Sequence, residues 1–332
     1  MRKQFFYSVI TSMTVVGSVI GAGFITGKEI YEFFAFDFSW SGIYLSLLLF
    51  TLTLYLISSV SISRKLSKVI GVVVAISNVV VSSCMLSALD SLYCDLFCFS
   101  EKVKILSVIT VIFLFIATLD GIGFAEKFNS VFIPFIVVAI IAVCLLNKGE
   151  AIIPGLSPRS FKGVLNPTVY VGFNVILSFA VIKNSGEKLS PPFKLLSALL
   201  TALILCVCIF LISRAIGKRG DEEMPFKSLF GDNVILAKII DVIMLFAIYS
   251  TLVSSVYTVT DFGGIRLNIK VKLLLLAVII ATSEIGFSTI VESLYPKMGI
   301  ISYGVIIVTC LLREDAQGLQ RERTYRLPKR IK

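Results

Sequence analysis

The chain has 332 residues, 57% of them hydrophobic, with a mean hydropathy of +0.94 and a formal net charge of +10. Soluble domains hold roughly 45–50% apolar residues, so the composition excludes an ordinary soluble protein and points to a polytopic membrane protein. There is no histidine, which excludes histidine proton relays, histidine metal sites and Ser-His or Cys-His catalysis.

Ten apolar runs follow in order, at about 5–36, 40–60, 69–94, 103–120, 124–146, 166–184, 191–216, 233–260, 270–286 and 288–312. A bilayer crossing needs about 20 such residues, so each run reads as one transmembrane helix of an all-α membrane protein. Residues 1–312 then form one transmembrane domain, and 313–332 a basic cytoplasmic tail. The start, Met1-Arg2-Lys3-Gln4, looks like a signal peptide only superficially: its apolar run outlasts an h-region, and no A-x-A cleavage site follows. With the N-terminus cytoplasmic, about 19 Lys and Arg fall inside and about 10 outside, so the positive-inside rule favours both termini in the cytoplasm. The positive charge, spread over loop ends and tail, suits an anionic membrane face rather than nucleic acid.

The first run contains "VVGSVIGAGFITGKEI", residues 15–30. Glycine lowers helix propensity by about 1 kcal/mol per residue and lets other groups approach the backbone closely. The helix is expected to open between Ser18 and Phe24. Opening frees carbonyls able to coordinate a cation and N–H groups able to hold a carboxylate. Such backbone is tolerated at membrane depth only where it lines a cavity. Gly17-x-x-x-Gly21 is equally a plain helix-packing motif. Lys28 and Glu29 follow the break and are candidate gate residues near an outer vestibule, although Lys28 also fits a snorkelling side chain.

The seven cysteines, Cys84, Cys94, Cys98, Cys144, Cys206, Cys208 and Cys310, lie mostly in apolar runs and show no C-x-x-C pair, so they read as small buried hydrophobes. Asp90, Asp241 and Glu292 are further charges within runs, and Lys238, one turn away, is the expected partner of Asp241. The sixth run carries Gly172, Asn174, Ser178, Asn184 and Gly186. Spans one and six each open a set of five, about 5–146 and 166–312. An odd number of spans per half inverts one half relative to the other, an organisation typical of secondary transporters.

The eighth run contains "YSTLVSSVYT", residues 249–258. Thr251, Ser254 and Ser255 share one helical face and supply half of an oxygen cage for a small hard cation. Back-bonding of each hydroxyl to the i−4 carbonyl is the alternative.

"GSVIGAG" at the first break resembles the broken first helix of the LeuT-like fold, in the amino acid–polyamine–organocation superfamily. "GSVIGAGFITGKEIYEFF" (17–34), "EKFNSVFIPF" (126–135), "YVGFN" (170–174) and "GFSTIVESLYPKMG" (286–299) are similar to the bacterial YkvI membrane-protein family. The resemblance spans nearly the whole chain. It implies a 5+5 inverted repeat with helices one and six broken, in a bacterial plasma membrane. It also implies a sodium site from the carbonyls of Gly17, Ile20 and Thr251 and the hydroxyls of Ser254 and Ser255. The substrate carboxylate would meet backbone N–H groups around Ala22 and Gly23, beside Ser18 and Gly21, with Asn174 and Ser178 facing its polar groups. The sixth run has no glycine between Gly172 and Gly186, so its break is less clearly written. Proton-coupled relatives can place a lysine in the fifth span; here Lys127 lies only at its start, which favours sodium.

The implied activity is secondary transport of an amino acid or similar small zwitterion by alternating access, driven by sodium, with no other cofactor or metal. The alternative is a non-transporting ligand sensor of the same fold, like spore-germinant receptor subunits. No nucleophile–base arrangement supports an enzyme. Substrate identity and oligomeric state are open.

Overall fold

The computed structural model describes residues 1–61, 64–97, 104–117, 122–146, 152–217, 222, 224–229, 234–262, 265–266 and 268–311. The basic tail at 313–332 lies outside them. Among the described residues the fold is all-α apart from a two-residue antiparallel pairing of Asp261–Phe262 with Ile265–Arg266, between the eighth and ninth spans, and an isolated bridge between Ser39 and Gly155.

The helices follow the apolar runs. The first run gives Arg2–Val19, Ala22–Ile25 and Lys28–Phe33. Spans two to five are Trp40–Ser59, Arg64–Phe97, Lys104–Ala117 and Gly123–Leu146. The sixth is the pair Lys162–Leu177 and Phe179–Gly186, followed by Pro191–Ile216 and Val234–Thr260. Ile269–Thr282, Phe287–Ser293 and Tyr295–Leu311 complete the set.

Among the described residues, five helices are long and apolar enough to cross a bilayer, or up to seven if each of two bent pairs is one span. Arg2–Val19 is more polar, and its Ser8, Thr11, Ser12 and Thr14 are all buried against neighbouring helices. The fourth and last helices are apolar but only 14 and 17 residues long. The tenth run is not one helix. Gly286, at φ 93°, ends the ninth span, and the chain bends by 93° into Phe287–Ser293 before Tyr295–Leu311 begins.

Polarity sorts the helices. Ser77, Asn78, Ser82, Ser83, Ser87 and Asp90 of the third span are buried, as are Asp241, Ser250, Thr251, Ser254, Ser255 and Thr258 of the eighth. Ile109, Phe113 and Ile116 of the fourth and Val131, Phe135 and Val138 of the fifth are exposed. Apolar side chains face lipid without penalty while polar ones are confined to the bundle interior. Spans one, three, six and eight therefore make the polar interior.

Two loop contacts pin its ends. Asp241 pairs with Lys227 of the short helix Pro225–Ser228 at 2.8 Å, and not with Lys238. That helix folds over the start of the eighth span, while Lys238 donates to the carbonyls of Asp95 (2.8 Å) and Leu96 (3.2 Å). Between spans five and six, Gly155 donates to Phe38 O (3.0 Å) and Trp40 to Gly155 O (2.8 Å). Asp37 accepts from the N–H groups of Arg159 (2.9 Å) and Ser160 (2.8 Å) and from the Ser160 hydroxyl (3.0 Å). Partial burial pushes the Asp37 carboxyl up, but these hydrogen bonds and the Arg159 charge outweigh it and hold it below its ordinary range.

Candidate functional site

The first helix stops at Val19. Ile20 N–H still reaches Val16 O (2.8 Å), but Gly21 N–H turns back to Val19 O (2.9 Å), and the helix restarts at Ala22. The opening therefore lies at Ile20–Gly21, within the expected window. Gly21 is extended, with φ −108°, so backbone freedom is not why it is glycine. A Cβ there would stand 2.8 Å from Thr251 Oγ1 and 2.9 Å from Met85 Sδ. On Gly17 a Cβ would stand 2.5 Å from Ser250 Oγ and 2.6 Å from Asn129 Cγ. Bare backbone lets the fifth and eighth spans close onto the break.

The second break falls at Ser178, where the two halves of the sixth span bend by 58°. Ser178 Oγ bonds Asn174 O (2.9 Å), and Asn174 Nδ2 donates to Tyr170 O (3.0 Å). Asn78 of the third span donates to the Leu177 carbonyl (3.3 Å). The two breaks touch: Ser18 Oγ and Ser178 Oγ are 2.6 Å apart, buried, and hydrogen-bonded.

Beside this contact, the Gly17 carbonyl accepts from the hydroxyls of Ser250 (2.9 Å) and Thr251 (3.1 Å). Ser250 Oγ also bonds Asn129 Oδ1 (2.9 Å), and Asn129 Nδ2 donates to Ser254 Oγ (3.1 Å). Neutral carbonyl, hydroxyl and amide oxygens from the first, fifth and eighth spans thus converge. This donor set suits a hard monovalent cation by ligand type. Ser255 is buried on the same helix, but the face turned to Gly17 is Ser250, Thr251 and Ser254.

No family model matches the chain. It is 24% identical over 324 residues to "Uncharacterized membrane protein YkvI" of Bacillus subtilis (strain 168), covering 88% of this chain and 92% of that one. The Eremococcus coleocola manganese transporter, solved with an aromatic bis-isothiourea substituted compound, superposes with a TM-score of 0.56 at 15% identity, over 98% of this chain and 91% of that one. Mhp1, a nucleobase-cation-symport-1 family transporter solved in a closed conformation with bromovinylhydantoin, gives 0.54 at 14% identity, over 90% and 75%. The chain is similar in sequence to YkvI and shares the LeuT-like fold of the two solved transporters. It is a multi-pass membrane protein, and its interrupted first and sixth helices are those of that fold.

The charged pair Lys28 and Glu29 follows a second interruption of the chain, at Gly27 with φ 83°. The freed Thr26 carbonyl accepts from Phe226 N (2.8 Å) of the short helix before the eighth span. Lys28 is buried and pairs with Glu292 (2.9 Å) and Glu32 (3.8 Å). Glu29 is 3% exposed and folds back until its carboxyl covers Gly23, where any Cβ would overlap it. The turn at Thr26–Gly27 redirects Lys28–Phe33, so Glu29 returns to the break instead of continuing outward.

Ala22 N–H donates to the Met85 thioether (3.2 Å), a weak acceptor. Asn78, Met85 and Asn129 are site residues missed by the sequence reading. Their one signal was a polar or adaptable side chain within an apolar run.

Proposed function

We propose that this chain is a secondary active transporter of the bacterial plasma membrane, with both termini cytoplasmic, moving an amino acid or similar small zwitterion by alternating access. The observation that carries the reading is the 2.6 Å contact between Ser18 and Ser178, which places the two helix breaks side by side in the buried interior. The substrate groups of this reading are Gly21, Ala22 and Gly23 at the first break and Asn174 and Ser178 at the second, joined through the Ser18–Ser178 contact. Ala22 N–H rests on a sulfur that a carboxylate displaces readily, because a charged acceptor makes the stronger hydrogen bond.

Sodium is the proposed driving ion. The residues are Gly17, Ile20 and Thr251 through carbonyls and Ser254 and Ser255 through hydroxyls, with Ser250 and Asn129 added by the geometry. Ion and substrate both draw on backbone released at Ile20–Gly21, so occupation of either favours the open helix for the other, which is coupling in the thermodynamic sense.

The second reading, a ligand sensor that does not transport, is favoured by one feature. Asn129 and the two hydroxyls already satisfy the Gly17 set from within the protein. One experiment separates the two. Purified protein in proteoliposomes is given labelled amino acids with and without an inward sodium gradient. Sodium-dependent accumulation is expected. Binding without accumulation assigns the sensor, and accumulation indifferent to sodium removes the ion from the proposal.

A further inference from the structure

We infer that Glu29, with the hydroxyls of Tyr170 and Tyr295, forms a recognition site for a protonated primary amine on the transported solute. The inference deepens the transporter reading and rests on the same broken-helix site.

Three buried polar groups from three different helices lie in this region. Glu29 Oε2, Tyr170 Oη and Tyr295 Oη are each buried and have no hydrogen-bond partner among the described residues. Both tyrosines lie within electrostatic reach of the Glu29 carboxyl, with the Asn174 side chain close to the Tyr170 hydroxyl and the Cys84 thiol close to that of Tyr295. Buried polar groups in native proteins are nearly always paired, and a buried carboxyl group holds its charge only when a cation or hydrogen-bond donors compensate it. The nearest lysine in sequence, Lys28, forms its ion pairs with Glu292 and Glu32.

The site defines its ligand by count and by shape. One carboxylate oxygen and two phenolic oxygens offer three acceptors, and a primary ammonium carries three N–H donors. A guanidinium spreads five donors over a planar fork, whereas an ammonium directs its three from one compact centre. A quaternary ammonium brings none. The walls are aromatic: Tyr170 packs against Phe33 and Phe34 with ring centroids 5.3 and 5.2 Å away, and Tyr295 against Phe173 at 4.1 Å. Such rings exclude water and attract a cation through their faces. Glu29 also lies directly on the bare Gly23 backbone, so an amine held there touches the first break. Its bound form thereby acts on the element whose opening the transporter reading requires.

The test uses the full chain in detergent, with alanine, γ-aminobutyrate, putrescine and n-butylamine as probes and N-acetylalanine and tetramethylammonium as controls. At least one primary amine is expected to raise the Tm, and both controls to leave it unchanged. In E29Q, nearly the same in size and shape, affinity for the stabilising amine is expected to fall about 10- to 100-fold, the loss of one charge-assisted hydrogen bond. Y295F is expected to weaken the same probe by a smaller factor. Equal affinity in E29Q, stabilisation by the controls, or no response to any primary amine overturns the site. The two readings fail separately. Glu29-dependent binding without uptake into vesicles removes transport and keeps the amine site. Uptake of an amine by E29Q at the wild-type rate and KM removes the amine site and keeps transport.

Discussion

The two helix breaks do the same job with different chemistry. At Ile20–Gly21 the chain uses glycines, and the reason is proximity: Gly17 and Gly21 stand where a side chain would strike Ser250, Asn129, Thr251 or Met85. At Ser178 there is no glycine. The helix bends by 58° because side chains take over backbone bonding, with Asn174 and Ser178 bonding within the sixth span and Asn78 reaching the Leu177 carbonyl. Glycine therefore marks where another helix must come close, and not where a helix must open. Serine and asparagine suffice to open one when a neighbour supplies the lost hydrogen bond.

That contrast can be broken experimentally, and the largest effect is expected at Gly17. Gly17→Val places a branched side chain into Ser250 and Asn129, and its destabilisation should reach or exceed the upper end of the about 1–3 kcal/mol usual for overpacking. Unfolding in detergent measures this, and a Tm equal to wild type would remove the close-approach argument. Next, Ser250→Ala with Thr251→Val strips both donors from the buried Gly17 carbonyl. The expected loss is about 1–3 kcal/mol, together with a weakened sodium dependence of uptake; an unchanged sodium response would misplace the ion site. Smaller still is the link between the breaks. A double-mutant cycle of Ser18→Ala and Ser178→Ala should give a coupling of about 0.6 kcal/mol and no more than about 1.7, the range of interhelical hydrogen bonds in membranes. Zero coupling would mean the breaks are adjacent but independent.

The smallest effect is expected at Asp37. Its carboxyl is held low in the folded protein, so it contributes stability above its unfolded pKa of about 3.9 and loses it as pH falls through the lower folded value. The protection of residues 152–161 against hydrogen exchange, taken relative to the intrinsic rate at each pH, should therefore fall below about pH 4. Asp37→Asn should lower it at neutral pH as well and flatten that acid dependence.

How much of this was legible in the sequence follows from the same contrast. The first break was readable because several glycines in an apolar run are hard to explain otherwise. Ser18, Asn174 and Ser178 were readable as polar side chains at membrane depth. Asn129 and Asn78 carried the same signal, yet nothing in one sequence joins Asn129 to Ser254, 125 positions away. On the hydroxyl face of the eighth span Thr251 and Ser254 were legible, whereas Ser250, which bonds the Gly17 carbonyl, was not. Neighbouring helix positions differ by about 100°, and only packing fixes the rotation. That Glu29 folds back over Gly23 was not legible, because it depends on the turn at Gly27. The left-handed turn at Gly27 needs no more than a glycine, and "GAGFITGKEI" already had several.

The third span carries a mechanical consequence. It is one unbroken helix of 34 residues, Arg64–Phe97, about 51 Å long at 1.5 Å per residue, against a hydrocarbon core of about 30 Å. It must lie oblique or project beyond the lipid. Along this rod Asn78 grips the second break, Met85 the first, and Asp95 the Lys227 anchor at the far end. A stiff diagonal strut fastened at three stations turns any slide along its own axis into simultaneous displacement at all of them, so both hinges share one linkage and move in step.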